Sequence, residues 1–235
     1  MLQSNVKLTG KLVIKKFDAV KNLVYETEVN NLVVTSGKQF LASRIIANTA
    51  SAMSHMAIGD DASAASTSQT TLVNELARVA VDSATASGVN ATFVATFPAG
   101  TGTGDIVEAS ITNAAASAVI SFDGDADVDD GGDTINYVGH GFTTGQLVTY
   151  TDGGNTVIGN LTDGAQYYII RVDNDYVKLA SSASNAAAGI AINITGTSGA
   201  GHKLTAGTML CRTTFPVITK SSSETIAIQW VITVG

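Results

Sequence analysis

The residues with the clearest potential for chemistry are a run of aspartates, DGDADVDDGGD, over Asp123–Asp133. Calcium is held by several oxygen ligands, and a D-x-D-x-D pattern brings carboxylates together at one turn. The candidate ligands are Asp123, Asp125, Asp127 and Asp129. Counted from Asp123, the sixth position is Val128 and the twelfth is Thr134, whereas an EF-hand needs Gly and Glu there. Two interpretations stay open, a structural cation site and a solvated acidic turn.

Histidine and cysteine offer little for metal binding or catalysis. His55, His140 and His202 are far apart in sequence, and none has a second ligand at a spacing such as H-x-x-x-H. We expect His55 to be a partly buried strand residue and His140, between two glycines, to be a turn residue with its ring on the sheet. The single cysteine, Cys211, lies in the apolar run TMLCRTTF, which favours a buried, inert thiol.

Two further patterns have a superficial likeness to enzyme sites. The glycines of PAGTGTGD are followed by neither GK[ST] nor a predicted helix, so they indicate a hairpin end rather than a phosphate cradle. Asp60 and Asp61 begin the stretch DDASAASTSQTT, a predicted surface loop, so no rigid element would hold them as a glycosidase pair. No combination of nucleophile, base and oxyanion donors is recognisable, and we predict that the chain is no enzyme and binds no cofactor.

Charge is distributed unevenly along the 235 residues. Between Ser117 and Thr205 there are ten Asp, no Glu and three basic residues, so this segment alone carries the formal net charge of −7. The rest of the chain has ten acidic and ten basic residues and is neutral. The shift predicts a separately acquired acidic module at residues 117–205, inserted into a base domain of residues 1–116 and 206–235.

Composition also narrows the classes of partner. No basic patch could neutralise a phosphate backbone, so we expect no nucleic-acid binding. No apolar run approaches the roughly 18 residues that a membrane span needs, so we expect no membrane partner. The start MLQSNVKLTGKLVIKK has no apolar signal-peptide core, and we expect no secretion by that route.

The periodicity of apolar residues predicts a mainly β chain, with an antiparallel β-sandwich-like base domain that carries one helix. Alternation over Val6–Ile14 and Leu23–Val29 predicts a long hairpin. A helix should begin at Thr35 or Ser36, with its apolar face formed by Phe40, Leu41, Ile45 and Ile46. Further strands are predicted at Leu76–Thr85, Asn90–Phe97 and Asp105–Thr112 as successive hairpins, followed by Thr208–Phe215 and Glu224–Val234.

The last strand alternates clearly between two faces. If Ile226, Ile228, Trp230 and Ile232 face inward, the outward residues are Thr225, Gln229, Val231 and Thr233. A β-branched, uncharged outer face invites a neighbour, so these four are the predicted interaction residues. The inserted segment is predicted to be a small all-β module with strands at Thr134–Val138, Gln146–Thr151, Gln166–Arg171, Val177–Ala180 and Ala191–Ile194.

Several ordered segments of the base domain together resemble a family of small tailed-phage virion proteins. These are NNLVVTSGKQFLASRI, MSHMAIGDDASAASTSQTTLVNELARVAV and ATFVATFPAGTGTGDIVEASITNAA. The segment GTMLCRTTFPVITKSSSETIAIQWVITVG is similar to the closing pair of strands in that family. The resemblance covers roughly residues 30–116 and 206–235, and residues 117–205 interrupt it where the family usually runs straight on.

The inserted segment has its own likeness. GHGFTTGQLVTYTDGGNTVIGNLTDGAQYYIIRVDNDYVKLASSASNAAAGIAINIT is similar to a small β repeat of phage structural proteins and large bacterial surface proteins, where it is a spacer or display module. The two resemblances imply a virion structural protein, foremost a capsid decoration or cement protein that displays an outer acidic module. Tail, neck or fibre attachment is the alternative position.

The resemblance also implies partners and location. The expected partners are other virion proteins, such as major capsid or tail proteins, and further copies of the chain in a homo-oligomer. The expected location is the virion, assembled in the host cytoplasm. The rival interpretation is a carbohydrate-binding module that recognises a host-surface glycan. Trp230 is the only tryptophan, so the aromatic platforms would come from Tyr137, Tyr150, Tyr167, Tyr168 and Tyr176, with Tyr167 the first to test.

Overall fold

The computed structural model describes residues 7–45, 52–115, 118–196 and 199–235. Over these ranges the chain is mainly β, with three antiparallel sheets and two helices, so the predicted fold class is confirmed. The chain divides into two compact units. The first comprises Met1–Gly37, Ala52–Ala115 and Met209–Gly235, and the second comprises Lys38–Ser51 and Ala116–Thr208.

Two antiparallel sheets make up the first unit. Its strands are β1 (Leu8–Phe17), β2 (Leu23–Asn30), β3 (Leu32–Val33), β4 (His55–Gly59), β5 (Glu75–Ala80), β6 (Ser83–Ser87), β7 (Asn90–Phe97), β8 (Gly104–Thr112), β16 (Met209–Lys220) and β17 (Thr225–Val234). Sheet 1 has the five-stranded order β2-β1-β17-β7-β6, and sheet 2 has the five-stranded order β3-β16-β8-β4-β5. Each sheet has one apolar face to bury, which is the basis of a sandwich-like arrangement.

Strand β17 shows why sheet 1 forms. Its inward residues Ile226, Ile228, Trp230 and Ile232 are at most 3% exposed, as the alternation predicts. Trp230 lies opposite Leu12 on β1 and Phe93 on β7, and both of these are buried as well. A period of two therefore places every large apolar side chain of this strand on one face of the sheet.

Three connections differ from the sequence prediction. The run Leu76–Thr85 is not one strand, because β5 belongs to sheet 2 and β6 to sheet 1. The backbone N–H of Val81 donates to Ser54 and that of Asp82 to Val94, so successive residues bond to different sheets. Strands β7 and β8 also belong to different sheets and form no hairpin, and β17 does not pair with β16.

Helix α1 (Thr35–Ile45) begins at the predicted hydroxyl residue. Its predicted apolar residue Ile46 lies outside the described ranges, as do Val6 of the first hairpin and residues 116 and 117 at the predicted domain boundary. Neither helix of the described residues has the length and apolar character required to cross a membrane.

The second unit is built on one antiparallel sheet. Its elements are β9 (Val119–Asp123), β10 (Val128–Asp129), β11 (Thr134–Asn136), β12 (Leu147–Thr151), β13 (Gln166–Arg171), β14 (Tyr176–Ala180), helix α2 (Ala183–Ala187) and β15 (Ala200–Ala206). The seven-stranded order is β10-β11-β14-β13-β12-β15-β9. That residues 117–205 are an acquired insertion stays a prediction, because a compact unit does not show how its segment was acquired.

The sequence prediction of this unit needs three corrections. Ala191–Ile194 is not a strand, because Ile194 donates its backbone N–H to the carboxylate of Asp133 and the nearest pairing is an isolated bridge between Gly159 and Thr195. Strands β9 and β15 were missed, and in β15 the polar His202 occupies one of the buried alternate positions, with Leu204 and Ala206. Helix α2 was missed because its one turn rests on a Ser182 cap rather than on an apolar face.

Candidate interaction surface

The predicted interaction residues lie on the outer face of sheet 1, along its central strand. Gln229 is exposed, whereas Thr225, Val231 and Thr233 are partly exposed. Each alternates with a buried apolar residue, so the outward direction follows from the strand geometry. The structure thus places all four on one surface, and their role in binding stays a prediction.

The uncharged surface continues across the two neighbouring strands, which the sequence prediction did not anticipate. Cross-strand rows run from Val231 through Thr92 to Thr85 and from Gln229 through Val94 to Ser83. We call the outward residues of β6, β7 and β17 the neutral face. They are Ser83, Thr85, Ser87, Asn90, Thr92, Val94, Thr96, Thr225, Ala227, Gln229, Val231 and Thr233.

The charged residues that β1 places on this side of sheet 1, next to β17, are paired with residues of β2. Lys11 lies 2.6 Å from Glu28, and Lys15 lies 3.3 Å from Glu26. Their side chains are about half exposed, so water screens these pairs and they contribute little to stability. The two ions of each pair neutralise each other, and the pairs border the neutral face, whose side chains are hydroxyl, amide and small apolar groups.

The aspartate run makes backbone turns. A carboxylate oxygen of Asp123 accepts hydrogen bonds from the N–H groups of Asp125 and Ala126, and Asp127 accepts one from the N–H of Asp123. Asp129 accepts from Gly131 in the same manner. These backbone bonds, the largest cause, lower the pKa of the Asp123 carboxyl.

A metal site needs several such groups to converge. Among the described residues, no three His, Cys, Asp or Glu side chains come close enough together to hold a metal ion. Asp123, Asp125, Asp127 and Asp129 lie in one turn segment, and the carboxylates of Asp123, Asp127 and Asp129 accept backbone N–H groups. A calcium site at these residues stays a prediction. The structure shows another role for the aspartates, which is to accept the backbone N–H groups of the turns.

His140 and Cys211 occupy the environments expected from the sequence. The His140 ring is buried between Gly139 and Gly141, stacks on Phe142 at 5.7 Å, and accepts the N–H of Phe142 at Nδ1. Cys211 is buried in β16, and burial raises the pKa of its thiol well above the usual range. A thiol in this position is protonated and unreactive at neutral pH.

His55 makes a contact that deserves comparison with a hydrolase. Its Nδ1 lies 2.8 Å from Oγ of Ser54, which is a nucleophile and base arrangement. Partial burial and the positive charge of Arg78 both lower the pKa of His55. A catalytic triad instead places an acidic group beside the histidine to stabilise its protonated form. The electrostatics at His55 are therefore opposite to those that activate a serine.

A buried polar chain links β12 and β15 in the second unit. Ile158 donates its N–H to the Tyr150 hydroxyl oxygen, which lies 2.9 Å from Nδ1 of His202. The two rings stack 5.9 Å apart at 9°, and both residues are completely buried. Desolvation raises the pKa of Tyr150 to about 12 and lowers that of His202. A neutral Tyr150 hydroxyl and a neutral His202 therefore share this hydrogen bond.

The first unit contains a buried charge network that the sequence did not reveal. Nε of Arg212 donates to Oε2 of Glu108 at 2.8 Å, and neither side chain is exposed. Arg212 also donates to the backbone oxygen of Ser63 and to Gln69, while Glu108 accepts the N–H of Asn74. The network anchors residues 60–74, a segment that contains the predicted surface loop at residues 60–71, for which the sequence indicated no rigid support.

No protein-family model matches the chain, and neither a curated protein nor a solved structure is significantly similar to it.

The tyrosines of the second unit fall into two groups. Tyr150, Tyr167 and Tyr168 are at most 8% exposed, so none can stack on a sugar, and Tyr167 was the wrong residue to test. Tyr137 and Tyr176 are 37% and 39% exposed. Near them lies an open depression of about 430 Å³, lined by Val138, Gly139, Gly141, Phe142, Thr143, Arg171, Asn174 and Asp175.

Proposed function

We propose that the chain is a non-enzymatic structural protein of a bacteriophage virion, foremost a capsid decoration or cement protein. The observation that supports the proposal best is the neutral face. Three adjacent strands of sheet 1 present twelve outward residues without a single charge, although the protein must remain soluble. Such a surface matches one that other subunits cover.

The arrangement of charge agrees with that role. Residues 117–205 carry the net charge of −7. Many copies on one particle would lie close together, and like charge on solvent-facing segments resists their clumping. Docking through the neutral face avoids the cost of desolvating ions at the contact.

The test examines particles produced from a phage genome that carries this gene. We expect mass spectrometry of purified particles to detect the chain and a cryo-electron microscopy reconstruction to place sheet 1 against the capsid lattice. Density at the tail, neck or fibres would select the alternative position. Absence of the chain from purified, infectious particles would contradict the proposal.

A pair of variants connects the test to the neutral face. Thr92→Lys puts a charge in the middle of β7, the central strand of that face, and should reduce incorporation at least tenfold, since a buried unpaired charge is costly. Lys11→Ala removes a charge from the paired border and should incorporate normally. Equal incorporation of both variants would show that another surface docks.

A second candidate is a carbohydrate-binding module, favoured by the exposure of Tyr137 and Tyr176 near the depression. Half-exposed tyrosine rings can stack on the apolar face of a sugar. Glycan-array binding by the full chain, lost in Tyr176→Ala and retained in Tyr25→Ala, would support this function. Tyr25 is a partly exposed residue of β2 and serves as the matched control.

A further inference from the structure

Strand β6 forms one edge of sheet 1, and within the described part of the chain only β7 pairs with it. All five of its residues, Ser83–Ser87, are exposed. Native proteins protect such edges with charged side chains, especially Lys, or with Pro, because an open edge recruits another strand. The sequence SATAS contains neither, so the edge remains available for pairing.

The sequence of β6 is also symmetric about its central residue. SATAS reads the same in both directions, and the symmetry extends over Val81–Val89, where only Asp82 and Gly88 differ. Two identical antiparallel strands related by a two-fold axis at Thr85 would place Ser83 opposite Ser87 of the other copy. Thr85 would then face Thr85 of the other copy, so every contact is self-complementary.

We propose that β6 pairs in antiparallel fashion with β6 of a second copy of this chain, about a two-fold axis at Thr85. The two five-stranded sheets then become one continuous sheet. The inference goes beyond the proposed function, because it applies to the free protein in solution, whatever assembly contains it.

The backbone has the groups that such a pair requires. Gly88, at a φ of +56°, starts the two-residue turn between β6 and β7, and Ser87 and Asn90 close that turn. A turn of this type closes with a hydrogen-bonded pair, and bonded pairs alternate along an antiparallel ladder. The N–H and C=O groups of Ala84 and Ala86 therefore point to the open edge. In the proposed register each Ala84 faces Ala86 of the second copy.

Charge and side-chain size also fit a second copy. The one charged residue beside the strand is Asp82, which is exposed and accepts a hydrogen bond from the Thr96 hydroxyl. In the proposed register it faces Gly88 of the second copy, so no like charges meet. The small side chains of β6 would also let the neutral face continue across the seam.

The first experiment measures self-association of the full chain by sedimentation equilibrium. A five-residue seam buries less than a standard interface, so we expect a dissociation constant of about 10–100 µM. Thr85→Lys and Thr85→Glu should each weaken dimerisation at least tenfold, because like charges would face each other. An equimolar mixture of the two should restore a dimer through the opposite charges.

The control is Thr9→Lys, which adds the same charge at an exposed position of β1 on the same side of sheet 1. It should dimerise as the unmodified chain does. The proposal is overturned if the unmodified chain stays monomeric up to about 500 µM, well above the expected dissociation constant. It is equally overturned if Thr9→Lys weakens association as much as Thr85→Lys.

Disulfide cross-linking tests the register. Opposite residues of a non-bonded antiparallel pair lie about 4.5 Å apart at Cα, within the range of a disulfide. Thr85→Cys should therefore form a covalent dimer under mild oxidation, whereas Ser83→Cys should not, because it faces Ser87 of the other copy. Cys211 is buried and will not compete. Equal cross-linking of the two variants would overturn the two-fold axis at Thr85.

A proline variant separates pairing from folding. Ala84→Pro removes an N–H group that points to the open edge, where proline is tolerated in an edge strand. We expect the melting temperature of the monomer to stay within about 3 °C of the unmodified chain. Dimerisation should be lost, and a fully retained dimer would contradict edge pairing at β6.

Discussion

Arg212 and Glu108 form an ion pair in which Nε donates to Oε2 at 2.8 Å and neither side chain is exposed to solvent. They lie on the neighbouring strands β16 and β8 of sheet 2. Two charges taken out of water stabilise a fold only when they remain together and are hydrogen-bonded. Here the additional bonds come from the loop at residues 60–74, so the pair joins the sheet to that loop.

Replacing one residue of the ion pair should destabilise the fold, because the other charge stays buried without a partner. Arg212→Met leaves the Glu108 carboxylate buried without its cation, and we expect a loss of about 3–5 kcal/mol in the free energy of unfolding. Urea denaturation followed by Trp230 fluorescence measures it, and limited proteolysis should show faster cleavage within residues 60–74. Lys11→Met breaks a pair that is half exposed and should cost less than about 1 kcal/mol. Equal losses would contradict the structural importance of the buried pair.

The core position of Trp230 predicts a second stability change. The side chain is completely buried, so Trp230→Ala should cost about 3–5 kcal/mol through lost apolar contacts and the cavity left behind. Circular dichroism during urea denaturation measures the change without relying on the tryptophan itself. The adjacent and exposed Gln229→Ala should change stability by less than about 0.5 kcal/mol. A negligible effect of Trp230→Ala would refute its placement in the core.

The second unit should lose stability in mild acid through His202. Burial lowers the pKa of this histidine in the folded protein, so the unfolded chain binds the proton more readily. Its contribution is complete above the unfolded pKa of about 6.5 and is lost as the pH falls from there through the folded value. Protonation also leaves Nδ1 able only to donate in its hydrogen bond with the Tyr150 hydroxyl.

The measurement compares amide hydrogen exchange in β12 and β15 at pH 7.5 and pH 5.5, corrected for the intrinsic exchange rate. We expect faster opening at the lower pH in the unmodified chain. His202→Gln should be less stable at both pH values and should lack most of the pH dependence. His55→Gln, in the first unit, should leave exchange in these two strands unchanged. The same pH dependence in His202→Gln would rule out His202 as the titrating group.

The aspartate turn predicts insensitivity to calcium together with sensitivity to mutation. Removal of calcium with a chelator should shift the melting temperature by less than about 2 °C, since the resolved partners of these carboxylates are backbone groups. Asp123→Ala should lower the melting temperature because it removes the acceptor for two N–H groups, and Asp123→Asn should retain part of that role. A large chelator effect would restore the calcium interpretation.

Deleting residues 117–205 tests the domain prediction. Thr112 of β8 and Met209 of β16 are paired neighbours, so a short Gly-Ser linker can join the two strands as a hairpin. We expect a soluble product that retains the tryptophan fluorescence of the unmodified chain and unfolds cooperatively. An insoluble or molten product would show that the first unit depends on the deleted residues.

Local alternation predicted strands well wherever one face is buried and the other is wet. The inward residues of β17, including Trp230, could be assigned because a period of two leaves only one consistent choice of face. The division of one extended run into β5 and β6 at Val81 and Asp82 could not be predicted, because each residue still fits an extended strand. The N–H of Val81 donates to Ser54 and that of Asp82 to Val94. This difference depends on where the two sheets lie in the folded unit.

The candidate sites divide in the same way. The amino-acid sequence by itself determined the segregation of charge, the mainly β character and the outward direction of Thr225, Gln229, Val231 and Thr233, since these depend on composition and on a short period. Tertiary structure alone decided that Arg212 meets Glu108 across 104 positions, that Tyr150 meets His202 across 52, and that SATAS lies at an open edge. Pairing between distant segments depends on which strands become neighbours, and no local pattern encodes that choice.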